Sequence, residues 1–188
     1  ISRYSEINKS RWKLLEQGRL TRQQVKESRY EILFAELGVD YSAAEATAYY
    51  EDQLSQKGFM FPDTIKLLET LHGRYRMYIV SNGGSNVQSG RLADSGIGKY
   101  FEDIFISEDA GAEKPSREFF DYCFGRRPEI KADETVIIGD SLTSDIQGGI
   151  NAGIRTIWFN LDGQQASDIH PDYEVKKLMD IPALLEEL

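Results

Sequence analysis

Four short apolar runs alternate with helical stretches in the second part of this chain, and that alternation restricts the fold more than any other feature. Arg76–Val80, Asp103–Ile106, Thr135–Gly139 and Ile154–Phe159 read as strands. Helices are expected around Phe119–Phe124, over Ile146–Asn151 and from Ile181 to Leu188. Strands that are apolar along their whole length and separated by helices form a parallel sheet covered on both faces. The expected fold class is α/β, a Rossmann-like doubly wound parallel sheet.

Residues 1 to 57 follow a different pattern. Tyr4, Ile7, Trp12, Leu14 and Leu15 recur at helical spacing, and Gly18 ends that helix. Thr21 is placed to cap a second helix, whose expected inward face is Val25, Ile32, Leu33 and Leu37, with Gly38 as its stop. Ser42 is expected to cap a third helix running to about Gln56. The expected division is a helical unit over 1–57 and an α/β core over 58–188, with the turn Phe61-Pro62-Asp63 near the junction.

Charge and residue usage narrow the function classes. With 31 acidic and 22 basic residues the net charge is −9, and no concentrated basic patch offsets it. A nucleic-acid polymer would be repelled. The single cysteine, Cys123, lies in an apolar helical stretch and reads as a buried structural thiol. His72 and His170 stand apart beside turn residues, which does not suit a metal site. No run approaches membrane-spanning length and no signal peptide is visible, so a cytoplasmic enzyme away from the membrane is the expectation.

In a doubly wound sheet, ligands bind at the carboxyl ends of the strands. The first strand runs into Ser81-Asn82-Gly83-Gly84. The loop after the second ends Glu113-Lys114-Pro115, and the third enters Gly139-Asp140-Ser141-Leu142-Thr143-Ser144-Asp145. Singly these are a turn, a surface lysine and a helix cap. Jointly they bring a hydroxyl, an amide, a lysine and two carboxylates to one edge. That set suits a phosphoryl group beside a divalent cation.

The same three stretches, with Ile146-Gln147-Gly148-Gly149-Ile150-Asn151-Ala152-Gly153 following the last, strongly resemble the haloacid dehalogenase superfamily over nearly the whole chain. The resemblance implies a phosphatase core with an α-helical cap, residues 1–57 supplying part of that cap. It implies that Ser81 and Lys114 are catalytic and that Ser81, Asn82, Gly83 and Lys114 contact the substrate. Asp140 and Asp145 are implied as the metal residues, for Mg2+. The Asp140-to-Asp145 spacing is similar to the nucleotidase and N-acylneuraminate-9-phosphatase branch. The stretch Trp12 to Thr21 is similar to the cap of pyrimidine 5′-nucleotidases. The implied substrate is a small phosphate ester, a nucleoside 5′-monophosphate foremost.

One departure accompanies the resemblance. The family's first motif, Asp-x-Asp-x-Thr after an initial strand, does not occur in these residues. Its nucleophilic aspartate and its strand are expected upstream of Ile1, and residues 1–188 alone are expected to be inactive and poorly stable. Two other readings stand beside the phosphatase. One is a metal-independent 2-haloacid dehalogenase, against which the Asp140/Asp145 pair speaks. The other is a truncated, non-catalytic binding module.

Overall fold

The computed structural model describes residues 2–165 and 168–188. Three helices come first: α1 (Ser2–Glu16), α2 (Arg22–Leu37) and α3 (Ala43–Ser55). The Thr21 hydroxyl accepts from the Gln24 amide, and the Gln24 side chain accepts from the Thr21 amide at 2.8 Å, a reciprocal cap on two of the helix's free N–H groups. Gly38, at φ 64°, closes α2 in the left-handed conformation that glycine adopts without strain. Ser42 caps α3 by accepting from Glu45 N at 3.2 Å.

The buried face of α2 differs from the sequence expectation. Val25, Arg29 and Tyr30 are buried, while Leu37 is 65% exposed at the helix end. The Arg29 guanidinium lies 5.9, 5.2 and 5.0 Å from the ring centroids of Tyr4, Tyr30 and Tyr50. It also donates to Asn8 Oδ1 at 3.0 Å and Lys26 O at 3.1 Å. A planar, weakly hydrated cation stacked on aromatic faces can take an interior position usually held by an aliphatic side chain.

The α/β part follows as α4 (Thr64–Leu71), β1 (Tyr78–Ser81), α5 (Ser85–Ser95), β2 (Asp103–Ile106), α6 (Ser107–Ala110), α7 (Arg117–Arg126) and β3 (Val136–Gly139). A π-helical turn over Leu142–Ile146 then leads into α8 (Gln147–Ala152), β4 (Arg155–Phe159), β5 (Tyr173–Val175) and α9 (Ile181–Glu186). All four expected strands are present, Asp103–Ile106 with the same bounds and the others with ends shifted by at most two residues. β5 is an addition. Asp172, just before it, accepts from Thr156 N and Thr156 Oγ1, both at 2.8 Å, and Asn160 donates to Glu174 at 2.8 Å. These side-chain bonds hold the short strand against β4.

Every strand pair is parallel, but the strands form two ladders: β1 with β2, and β3–β4–β5. β1 and β3 are not hydrogen-bonded to each other. Ile138, in the middle of β3, is 38% exposed, unusual for a parallel strand whose two faces are normally covered. Two apolar clusters bind the layers. Phe105, Phe119, Phe120, Cys123, Ile137, Ala152 and Ile154 join α7 and α8 to both ladders. Leu67, Leu71, Ile157, Phe159, Val175 and Ile181 join α4 and α9 to the other face. Cys123 is buried, and burial pushes its thiol up to about 12, which makes it unreactive. No helix among the described residues is long and apolar enough to cross a membrane.

Candidate active site

The loops after β1, α6 and β3 meet at the carboxyl ends of the strands. Ser81 is the last residue of β1, and its Oγ accepts from Gly83 N and from Gln88 Nε2, each at 3.0 Å. Both are accepted bonds, so the hydroxyl keeps its own proton to donate. Asn82 makes a two-point clamp: its Oδ1 accepts from Lys114 N at 2.9 Å and its Nδ2 donates to Lys114 O at 2.8 Å. The amide thus joins the loop carrying Ser81 to the loop carrying Lys114. The Lys114–Pro115 peptide bond is cis.

Lys114 is 5% exposed. Its ammonium donates to Asp145 Oδ1 at 2.6 Å and to Val80 O at 2.9 Å, spanning from β1 to the turn after β3. The second oxygen of Asp145 accepts from Ser141 N at 3.1 Å. Gly139 leaves room for this carboxylate, because a Cβ at that position would overlap the Asp145 side chain. Ser141 caps the π-helical turn by accepting from Ser144 N at 3.2 Å. Such turns recur at functional sites.

Asp140 differs from Asp145. Its side chain is exposed and has no hydrogen-bond partner among the described residues. Its backbone is fixed from beneath, where Trp158, 1% exposed, donates its indole N–H to Asp140 O at 3.0 Å. Mg2+ characteristically takes one or two carboxylates together with waters and substrate phosphate. Asp140 can supply such a ligand, with Asp145 already committed to Lys114 and Ser141. No cluster of three or more His, Cys, Asp or Glu suited to enclosing a metal occurs among the described residues. The Asp140 carboxylate, an exposed hard oxygen donor, fits a magnesium ion that takes its other ligands from water and phosphate. His72 stands edge-on to Tyr100, their ring centroids 5.5 Å apart.

The structure thus joins Asn82, Lys114 and Asp145 by hydrogen bonds, with Ser81 next to Asn82 in the chain and Asp140 next to Ser141, whose amide bonds Asp145. Asn82 and Gly83, expected against the substrate, turn polar groups into the protein: Asn82 clamps Lys114, and the Gly83 amide bonds Ser81.

Two residues of the helical unit also reach this edge, and sequence reasoning had not singled them out. Glu16, at the end of α1, is half-buried. Burial raises its carboxyl above the ordinary value, Thr143 opposes this by hydrogen bonding, and Asp145 adds to the rise. Arg22, at the start of α2, bonds the Asn82 and Gly83 carbonyls at 2.6 and 3.0 Å. A cleft of about 520 Å³ lies between the two units, lined in part by Leu15, Glu16, Arg22, Glu113, Lys114 and Asn151. Only the short Gly18 turn that sets Glu16 and Arg22 on adjoining helix ends could have pointed to them.

Residues 13–159 match the model of the haloacid dehalogenase-like hydrolases. The chain is 39% identical to the HAD-hydrolase YfnB of Bacillus subtilis over 98% of its own length and 79% of that protein's. It is 36% identical to pyrimidine 5′-nucleotidase PynA of Streptococcus pneumoniae, covering 98% of this chain and 78% of PynA. With pyrimidine 5′-nucleotidase YjjG of Escherichia coli the identity is 30%, over 97% and 80%. The crystal structure of Bacillus subtilis YfnB bound to magnesium, described as revealing interdomain movement, superposes with a TM-score of 0.93 over 98% of this chain and 81% of that one. On the match of the family model and the extent of these likenesses, the chain belongs to the haloacid dehalogenase-like hydrolase family.

Proposed function

We propose that the protein is a magnesium-dependent phosphomonoesterase acting on nucleoside 5′-monophosphates through an aspartyl-phosphate. The observation that carries this reading is the Lys114–Asp145 pair at 2.6 Å, clamped by Asn82 to the Ser81 loop and bonded to the amide of Ser141, the residue after the exposed Asp140. The choice of nucleotide rests on the likeness to PynA and YjjG, both pyrimidine 5′-nucleotidases.

In this reading the Ser81 hydroxyl and the Lys114 ammonium address the oxygens of the transferring phosphoryl group. Asp140 holds Mg2+, and Asp145 keeps Lys114 and the Ser141 amide in place. When bound, Mg2+ offsets the charge of the phosphate. The nucleophile is an aspartate that residues 1–188 do not supply, since no Asp-x-Asp occurs in them. Its strand would lie between β1 and β3, whose adjoining edges are not paired with each other. Residues 1–57 act as a cap on the 58–188 core, excluding water and selecting the leaving group.

The test is a hydrolysis screen of the full-length protein across nucleoside monophosphates and sugar phosphates, with and without Mg2+. The expected result is magnesium-dependent release of phosphate, reduced about a hundredfold or more by Asp140→Asn. Turnover of 2-haloacids that survives EDTA would make the protein a dehalogenase instead.

A further inference from the structure

Arg22 belongs to the helical unit, yet its guanidinium is spent on the α/β core. Nη1 donates to Asn82 O at 2.6 Å and Gly83 O at 3.0 Å. Nη2 donates to Ser107 Oγ and to Glu113 Oε1, the latter at 3.2 Å. The four acceptors lie in the loop after β1, at the first residue of α6, and immediately before Lys114. The side chains of Arg22 and Glu113 are only 14% and 24% exposed, so water competes weakly for these bonds.

What the acceptors do gives the contact its meaning. Asn82 and Gly83 shape the turn around Ser81, and Asn82 clamps the backbone of Lys114. Burial holds the Glu113 carboxyl above its ordinary value and the Arg22 guanidinium opposes this, while Glu113 Oε2 is buried with no hydrogen-bond partner among the described residues. A planar fork of five N–H donors can meet two carbonyls, a hydroxyl and a carboxylate together. Lysine, a single point of three donors on a flexible stem, cannot reproduce that geometry.

We propose that Arg22 is a positioning residue of the phosphoryl site, setting the loops of Ser81 and Lys114 against each other when the helical unit lies on the core. Its effect on turnover rests on the phosphomonoesterase reading; its effect on loop order rests on the bonds alone. A misplacement near 1 Å at a reacting centre costs on the order of a hundredfold in rate. Loss of Arg22 therefore lowers kcat more than it alters KM. Arg22 bonds no atom of Asp140, whose backbone is fixed separately by Trp158, so Mg2+ affinity stays close to that of the unaltered protein.

The experiment compares the full-length protein with Arg22→Ala and Arg22→Lys. Hydrogen exchange is followed over residues 82–84 and 107–114, kcat and KM are measured on a hydrolysed ester, and Mg2+ titrations are run alongside. Both substitutions are expected to speed exchange in those two segments while the rest of α2 stays protected. Both are expected to lower kcat about ten- to a hundredfold. Guanidinium ion added to Arg22→Ala should restore part of the rate. Unchanged exchange in both segments, or kcat within about twofold of the unaltered protein, overturns the proposal. If the unaltered protein hydrolyses no phosphate ester, the phosphomonoesterase reading fails and the exchange measurement alone decides Arg22. Should the alanine variant not fold, Arg22→Lys, which keeps the charge and the stem, supplies the same readouts.

Discussion

Lys114 has a structural duty as well as a chemical one, and substitution can separate them. Its ion pair with Asp145 is nearly dry, the two side chains being 7% and 12% exposed. Removing one partner of such a pair leaves a charge buried without compensation and costs about 3–5 kcal/mol. Lys114→Met should lower unfolding free energy by about that amount in a denaturant melt. Adding Asp145→Asn should recover much of the loss while phosphatase activity stays absent. Full stability in the single variant would show that the pair is not holding the loops. That Ser81, Lys114, Asp140 and Asp145 would come to one edge of the sheet was legible because each lies at or after the end of an apolar run. Arg22 was not, because its partners lie 60 to 91 positions away and nothing in the helical periodicity marks it.

Among the elements, α5 shows how one loop secures another. Its N-cap is Gly84, which has no side chain to offer. Glu108, from α6, accepts from Ser85 N at 2.7 Å, and Asp109 accepts from Ser85 Oγ at 2.8 Å. The Ser85 amide, with Lys26 and Arg22 adding, holds the Glu108 carboxyl below its ordinary 4.5. A carboxyl lowered on folding stabilises the fold in full above its unfolded value, and that contribution fades as pH falls through the folded one. Melting curves of the parent and Glu108→Gln should therefore differ near neutrality and draw together as pH falls progressively below 4.5. A gap that does not change with pH would refute this role. The elements themselves divide by the strength of their pattern. Four strands were readable as apolar runs, whereas β5 has three residues with only Val175 buried, and it is set by Asp172 and Asn160 instead. The inward face of α2 was misread at Leu37 because hydrophobic spacing gives no warning that Arg29 will be sheltered by three tyrosines.

Across the whole molecule, the strands divide into β1–β2 and β3–β4–β5. Among the described residues β1 and β3 are not paired with each other, and Ile138 is left partly exposed. Unpaired strand edges invite association. Residues 1–188 expressed by themselves should sediment as mixed oligomers and melt broadly. A monodisperse monomer with one sharp transition would contradict that. The Lys114 bridge, the Asn82 clamp and the shared apolar cluster under α7 still draw the two ladders together. A strand seated along that line would hydrogen-bond to β1 on one side and β3 on the other, so the segment that brings the nucleophile would also be the keystone that makes one continuous sheet of the two ladders.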